Sequence, residues 1–550
     1  MRPPNRPRLS VESLEVRDSP ALLYVSPTGS DANPGTAAAP LLTLQKAADR
    51  VGPGDTVTAA AGTYAGFNLF ASGTATQRIT FRGEASPGAG GVVIDRPNPW
   101  NSRDGINLEG ASFVTVEGFT VKNQPRAGIR AVQDESVVIR NNVADANAVW
   151  GIFTGFSVDL LVENNQASRS AQQHGIYVSN SADRPTVRGN RVFENNASGI
   201  QLNADASQGG DGVISNAVIE NNVLRANGAG GGASINLDGV QDSDIRNNLI
   251  EDARASGIAL FRQDGAAGSA NNRVVNNTVV VANALNASRG RWAVTLTGGS
   301  TGNVLKNNIL YSTAAFPGAV SVSPDSRAGL VSDYNAVEDR FSTDDGGSAL
   351  DLTAWRATTG QDAHSIPIAD GAALNGLFVD RVAGNYRLKV GSAAIDRGTA
   401  VGAPPKDFEG NARPSGAGFD IGGDEIVVAV SPPPVTPPVT PPVTPPPPVT
   451  NTAPTITPIA DQTFGPSDSN RLLVFQVGDA QTPVKALTYT VTSSNPAVVP
   501  VPSIYALGGP YQLLYVIPAR NVSGTSAITV TVQDAGGLTA TISFSVTVQR

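Results

Sequence analysis

At 550 residues the chain exceeds what one compact core holds, so it comprises several domains or a repeat array. A net charge of −8 with only 16% charged residues argues against nucleic acid as a partner, because phosphate binding needs a basic surface. The absence of cysteine excludes disulfides, thiolate-held zinc and thiol catalysis, and no apolar run reaches the roughly 18 residues of a transmembrane helix. Apolar residues still make up 40% and recur regularly among Gly, Asn, Ser and Thr, a composition that suits many short strands joined by turns.

Residues 1–22 are basic but lack the apolar centre of a conventional signal peptide. Their run RLSVESLEVRDSPA resembles the leader of some bacterial surface proteins, which implies an extracellular or cell-surface location on a bacterium. Tyr24 and Val25 then begin a strand, the Asp31–Gly35 region turns, and Thr43 caps a short amphipathic helix over 44–51 that GPGD ends. That helix is expected to cover the open end of a stack of strands.

Over residues 23–330 the chain repeats. Gly-Ile recurs at Gly128-Ile129, Gly151-Ile152, Gly175-Ile176, Gly199-Ile200 and Gly257-Ile258, with Ser234-Ile235 and Ala293-Val294 as variants. The clean intervals are 23 or 24 residues, and an Asn pair such as Asn141-Asn142 or Asn164-Asn165 follows in each unit. A fixed period in this range predicts stacked coils, and β-branched residues alternate within each short segment. The fold expected is all-β, a right-handed parallel β-helix with coils ~4.8 Å apart. The Asn pairs are read as amide ladders at bends that need left-handed backbone.

Residues 331–430 lose the repeat and read as a C-terminal cover for the stack, with Asp396, Asp407, Arg413 and Asp420 structural. Residues 431–450 are a proline-rich linker, extended at ~3.1 Å per residue. Residues 451–550 alternate in short strands and predict a β-sandwich resembling Ig-like or cadherin-like modules. A chain with its own covers at both ends is expected to be a monomer.

With the repeated Ile pointing inward, the two-residue strand period sorts the other side chains. The next residues form an outward row, Arg130, Phe153, Tyr177, Gln201, Asn236 and Ala259. A second row runs Val132, Gly155, Ser179, Asn203, Asp238 and Phe261, and a column before the Gly holds Trp150 and His174. Aromatic rings among amides and carboxylates suit a sugar chain, because rings cover pyranose faces and polar groups bond hydroxyls. Arg130, Trp150, Phe153, Tyr177, Gln201, Asn203 and Asn236 are the candidate binding residues. Beside them the repeats swell at NADASQGGDG, RQDGAAGSANN and NALNASRGR, which would wall a groove.

For chemistry the candidates are His174 as proton acceptor or donor, Arg262 to neutralise a uronate carboxylate, and Asp238. Asp205 and Asp211 offer the carboxylate oxygens that calcium prefers. Each has a plain structural alternative: a bonded turn histidine, capping aspartates, and a solvated pair of Arg262 with Asp264.

The segments QHGIYVSN, GNRVFENNASGI, LDGVQDSDIRNN and ASGIALFRQDG resemble bacterial right-handed β-helix proteins related to pectate lyases and alginate-modifying enzymes. The resemblance covers roughly residues 24–425 and implies an acidic polysaccharide as substrate and lyase or epimerase chemistry. Calcium-dependent lyases of that kind commonly use a Lys or Arg base, yet no Lys lies between Lys122 and Lys306. A non-catalytic surface protein that holds glycans in the same groove is the alternative expectation.

Overall fold

The computed structural model describes residues 20–84, 90–281, 291–314, 316–427, 451–465, 470–508, 510–519 and 522–549. The proline-rich linker, nearly all of the leader and most of NALNASRGR lie outside the described residues.

Each coil contributes one strand to each of three long parallel sheets. Ala127–Val132 lies in the third sheet, Val138–Arg140 in the first, Val143–Asp145 in the second, and Trp150–Gly155 returns to the third. The repeated residues pair coil on coil, from Ile129 to Ile152, Ile176, Ile200, Ile235, Ile258 and Val294, and all are fully buried. The Gly before each Ile answers to crowding between coils. A Cβ on Gly151 would stand 2.6 Å from the Gly175 carbonyl oxygen.

The bend between the first and second sheets divides its work between the two Asn residues. The first takes the left-handed conformation, with φ of 54° at both Asn141 and Asn164 and 52° at Asn247. The second points inward and forms the ladder. Nδ2 of Asn142 donates to Oδ1 of Asn165 at 3.1 Å, and the pattern continues through Asn190, Asn222, Asn248, Asn277 and Asn308 to Asn335. Each amide also donates to a backbone carbonyl, as Asn248 does to Ile219, so no buried donor is stranded. Asn248→Ala would strand the Asn222 backbone N–H, leave its side-chain amide with one acceptor, and take a donor from the Ile219 carbonyl. A loss on the order of 2–4 kcal/mol is expected, read by denaturant unfolding; an unchanged midpoint would show that the ladder contributes nothing.

The outward face of the first sheet carries a charge column that strictly alternates in sign. Arg82, Glu117, Arg140, Glu163, Arg188, Glu220 and Arg246 follow one another in register. Arg140–Glu117, Arg188–Glu163 and Arg246–Glu220 close at 2.6, 2.7 and 2.8 Å. Exposed pairs of this kind stabilise little individually. Their order matters more, because pairing a coil with its second neighbour would set like charges opposite each other.

At the N-terminal end the helix runs Leu44–Ala48, shorter than the expected 44–51, with Thr43 accepting from the Lys46 N–H at 3.1 Å. Gln45 meets both polar groups of the edge residue Asn68, accepting its N–H at 2.9 Å and donating to its carbonyl at 3.1 Å. The side-chain amide thus takes the place of a further strand.

The C-terminal half departs from expectation. Coils continue past residue 330, with Val331–Asp333, Ala336–Glu338 and Ile366–Ile368 pairing onto the stack. The end itself is closed by the helix Leu352–Thr359, whose buried Trp355 stacks on Phe341 at 4.8 Å. Residues 371–379 and 386–425 lie along a flank instead. Leu374, Leu377, Phe378, Tyr386, Leu388 and Ile421 cover Leu249, Val280, Ile309 and Tyr311 on the outside of the second sheet. The reason is in the coils: from Val223 onward the outward row of that sheet turns apolar and needs a cover. Asn276 Nδ2 donates to the carbonyls of Asp420 and Gly422, and Arg413 bonds the buried Glu425 at 2.9 Å and the carbonyl of Gly423 at 2.7 Å.

Taken by itself, the region from residue 451 forms two four-stranded sheets. They are mainly antiparallel and enclose Phe464, Phe475, Leu514, Val516, Ile528, Val530 and Phe544.

Candidate functional site

The outward row of the third sheet pairs as the alternation requires: Arg130 with Phe153, then Tyr177, Gln201, Asn236 and Ala259. Trp150, Phe153 and Tyr177 form a partly exposed aromatic cluster. Ring centroids lie 4.6 Å apart for Trp150 and Phe153, 5.3 Å for Phe153 and Tyr177, and 6.1 Å for Trp150 and Tyr177. His174 meets the Tyr177 ring edge-on at 5.0 Å. Gln173, which sequence reasoning passed over, accepts from Trp150 Nε1 at 2.7 Å and sets the indole in place.

Several binding candidates are spent on each other. Gln201 is buried and accepts from Asn236 Nδ2 at 2.7 Å and from the Ser198 hydroxyl at 3.2 Å. Arg130 pairs with Glu109, donates to Asn107 Oδ1 at 2.8 Å and lies 6.0 Å over the Phe153 ring. Asn203 Nδ2 donates to the Tyr177 hydroxyl at 3.3 Å and to Asp264 Oδ2 at 3.1 Å, while its Oδ1 is buried without a partner.

His174 accepts the Ser198 N–H on Nδ1 at 3.2 Å. Burial holds its pKa down to about 4, so the ring is neutral at pH 7 and carries its proton on Nε2. A neutral ring with Nδ1 occupied donates one hydrogen bond from Nε2 and has no free lone pair for proton abstraction. Burial, ahead of the charges of Asp264, Asp205 and Asp238, raises the Tyr177 pKa, so its hydroxyl also stays protonated.

The aspartates have structural work. Asp238, 1% exposed, accepts the N–H groups of Gln263, Asp264 and Gly265 at 2.9, 2.8 and 3.2 Å. Both oxygens hold the corner loop, which gives this residue structural work. Asp205 caps the turn Ala206–Gln208 through the Ser207 N–H and hydroxyl at 2.8 and 2.6 Å, and Asp211 accepts the Val213 N–H at 2.9 Å. Among the described residues no group of three or more His, Cys, Asp or Glu stands together as a cation cage. The donor set at Asp205 and Asp211 therefore does not fit calcium, which wants six to eight oxygens.

The swollen corners do build a wall. Ala206 N–H donates to the Asp264 carbonyl and Ala266 N–H to the Gly212 carbonyl, both at 2.9 Å, which knits the two loops together. Arg262 and Asp264 are exposed there, so these two candidates stand beside the row, while Asp211 faces solvent on the same wall.

Sequence reasoning also missed Asp134. It follows the left-handed Gln133 at the end of the strand carrying Arg130, and the bridge between Glu135 and Val158 places it one coil below Ser157. It is 4% exposed, with the Ser157 hydroxyl set against its carboxyl. The signal was present: Ala111, Asp134 and Ser157 occupy one inward corner column, where a carboxylate is out of place.

Residues 104–279 match the family described as Right handed beta helix region, and residues 23–171 match one described as Pel9A-like, right handed beta helix region. The fold of this chain is the expected right-handed β-helix. No curated protein matches it in sequence. Among solved structures, pectate lyase Pel9A is similar at 18% identity and a TM-score of 0.47, over 74% of this chain and 97% of that one. The A-module of the Azotobacter vinelandii mannuronan C-5 epimerase AlgE6 is similar at 15% identity and 0.41, over 64% and 90%. A rhamnogalacturonan lyase follows at 16% identity and 0.36, over 55% and 84%.

Proposed function

We propose that the protein binds a linear polysaccharide along the outward face of the third sheet, over Trp150, Phe153 and Tyr177. The observation that carries this reading is the cluster of three rings on two consecutive coils, partly exposed and set beside protonated donors on His174 and Tyr177. Rings of this kind cover the apolar faces of pyranoses, and N–H and O–H groups meet their hydroxyls. The wall of residues 204–213 and 262–268 keeps a chain parallel to the helix axis. The leader-like run at the N-terminus fits a bacterial protein that meets such polymers outside the cell.

Turnover of an acidic chain by lyase or epimerase chemistry is the second reading. Arg262, exposed on the wall, favours it as a partner for a uronate carboxylate. Tyr177, with its hydroxyl held protonated, has a proton to give a leaving oxygen. Against it stand the three carboxylates of Asp205, Asp211 and Asp264 on the same wall, which repel a polyanion.

Neutral and uronate-containing polysaccharides, tested side by side for retention, new reducing ends and unsaturated uronate absorbance, separate the readings. Retention without products is expected for a binding protein. Products from a uronate polymer would carry the second reading, and no retention of any polymer would contradict both.

A further inference from the structure

The corner that carries Trp150 and His174 continues toward the N-terminus. Phe67 N–H donates to the Gly105 carbonyl and Gly105 N–H to that of Ala127, both at 3.0 Å, and Ala127 pairs with Trp150. Ala65, Asp104, Ala127, Trp150 and His174 therefore follow one another along one flank of the third sheet. At its start, between the N-terminal helix and the first coils, lies a cleft of about 340 Å³ lined by Leu42, Gln45, Tyr64, Gly66, Arg96 and Pro99. That is the size of a small-ligand site.

Arg96 lines this cleft, and Trp100 follows its lining residue Pro99. Arg96 has a side chain 64% exposed, 3.8 Å from Asp95, and donates to the Thr63 carbonyl at 3.5 Å. Trp100, next to Pro99, is 67% exposed. It is presented by a rigid turn: the buried Asn98 Oδ1 accepts the N–H groups of Trp100 and Asn101 at 3.0 and 2.9 Å, and Arg126 clamps the buried Asp104 with Nε at 2.8 Å. The backbone that carries the exposed indole is thereby fixed, which limits the entropy lost when a ligand covers the ring. From Asp104 to Trp150 is two coils, ~10 Å at ~4.8 Å each. Gln45, bonded to Asn68 on the edge strand, closes the end of the sheet beyond the cleft.

We propose that the cleft is a chain-end subsite: it takes the terminal sugar of the polysaccharide whose interior lies on Trp150 and Tyr177. Trp100 stacks on the adjoining unit, and the Arg96 guanidinium donates to the oxygens of the terminal ring, hydroxyl or carboxylate. This inference rests on the reading of the third sheet as a polysaccharide-binding face.

The test uses the full chain and hexasaccharides of xylan, cellulose, galacturonan and mannuronan, each also with a bulky group at either end. Blocking one end of the best binder is expected to lower its affinity about tenfold. Arg96→Ala and Trp100→Ala are expected to weaken the free-ended form by about tenfold each, the loss of one charge-assisted bond or one stacked ring. They should leave the end-blocked form unchanged, and because both side chains are exposed the variants keep the fold. Uronate forms losing more than neutral ones on Arg96→Ala would mark the contact as a carboxylate. Equal affinity of free and blocked forms, or no effect of either variant, would overturn the subsite while binding lost on Tyr177→Ala still upheld the face. Failure of all hexasaccharides and polymers to bind the wild type would overturn both.

Discussion

Asp134→Asn is expected to raise the melting temperature at about pH 8 and to raise it much less at about pH 4. Burial pushes the Asp134 carboxyl up to about 7, with the Ser157 hydroxyl and Arg130 offsetting part of the effect and Glu109 adding to it. Below the ordinary value of ~3.9 the group is protonated in both folded and unfolded chains, and it costs nothing as a charge. Between there and about 7 the folded state keeps a proton that the unfolded state has released, so stability falls as pH rises. Above that range the full penalty is present, on the order of 4 kcal/mol. Asparagine has the same shape and no charge. Whatever its amide costs there is the same at every pH, so the difference between the two pH values isolates the carboxylate. Thermal unfolding of both proteins at both pH values checks this, and an equal change at the two would refute it.

His174 is expected to pull the other way. Its pKa is lowered to about 4 by burial, so the folded state binds fewer protons than the unfolded state between there and ~6.5. Stability is fully present above ~6.5 and falls as pH drops toward about 4, by on the order of 3 kcal/mol. In wild type this loss and the relief of Asp134 overlap and largely mask each other. His174→Gln in an Asp134→Asn background exposes the histidine alone: the double variant should lose much less stability than Asp134→Asn on acidification. NMR titration of the ring gives the direct reading. A midpoint near 6.5 would show that the imidazole is hydrated and free to exchange protons, and would return it to the list of catalytic candidates.

The third sheet was legible from sequence for a mechanical reason. Once Ile129, Ile152 and Ile176 are placed inward, a period of two leaves no freedom for Arg130, Phe153 and Tyr177, and the observed register follows. The same logic found the swollen corners, because extra residues in a fixed repeat can only loop out. It failed where a bond depends on the path of a loop. Asp238 read as an outward carboxylate, but a loop more than twenty residues later in the chain folds back and fills it with three N–H groups. Gln201 read as a ligand contact, but the Asn236 amide one coil on consumes its oxygen. The helix cover at the N-terminus was legible through Thr43. The segments 371–379 and 386–425 were not, because a loss of repeat says that coils end and not which face the remainder covers.

Everything proposed for this face depends on a polysaccharide lying on the Trp150, Phe153 and Tyr177 cluster. Calorimetric titration of the best-retained polymer against wild type and the Trp150→Ala/Tyr177→Ala double variant tests it most directly, with circular dichroism and melting temperature as checks on the fold. Removing two stacked rings should weaken binding on the order of a hundredfold, about 1.4 kcal/mol or more for each. A double variant that folds normally and binds as tightly as wild type would contradict the claim.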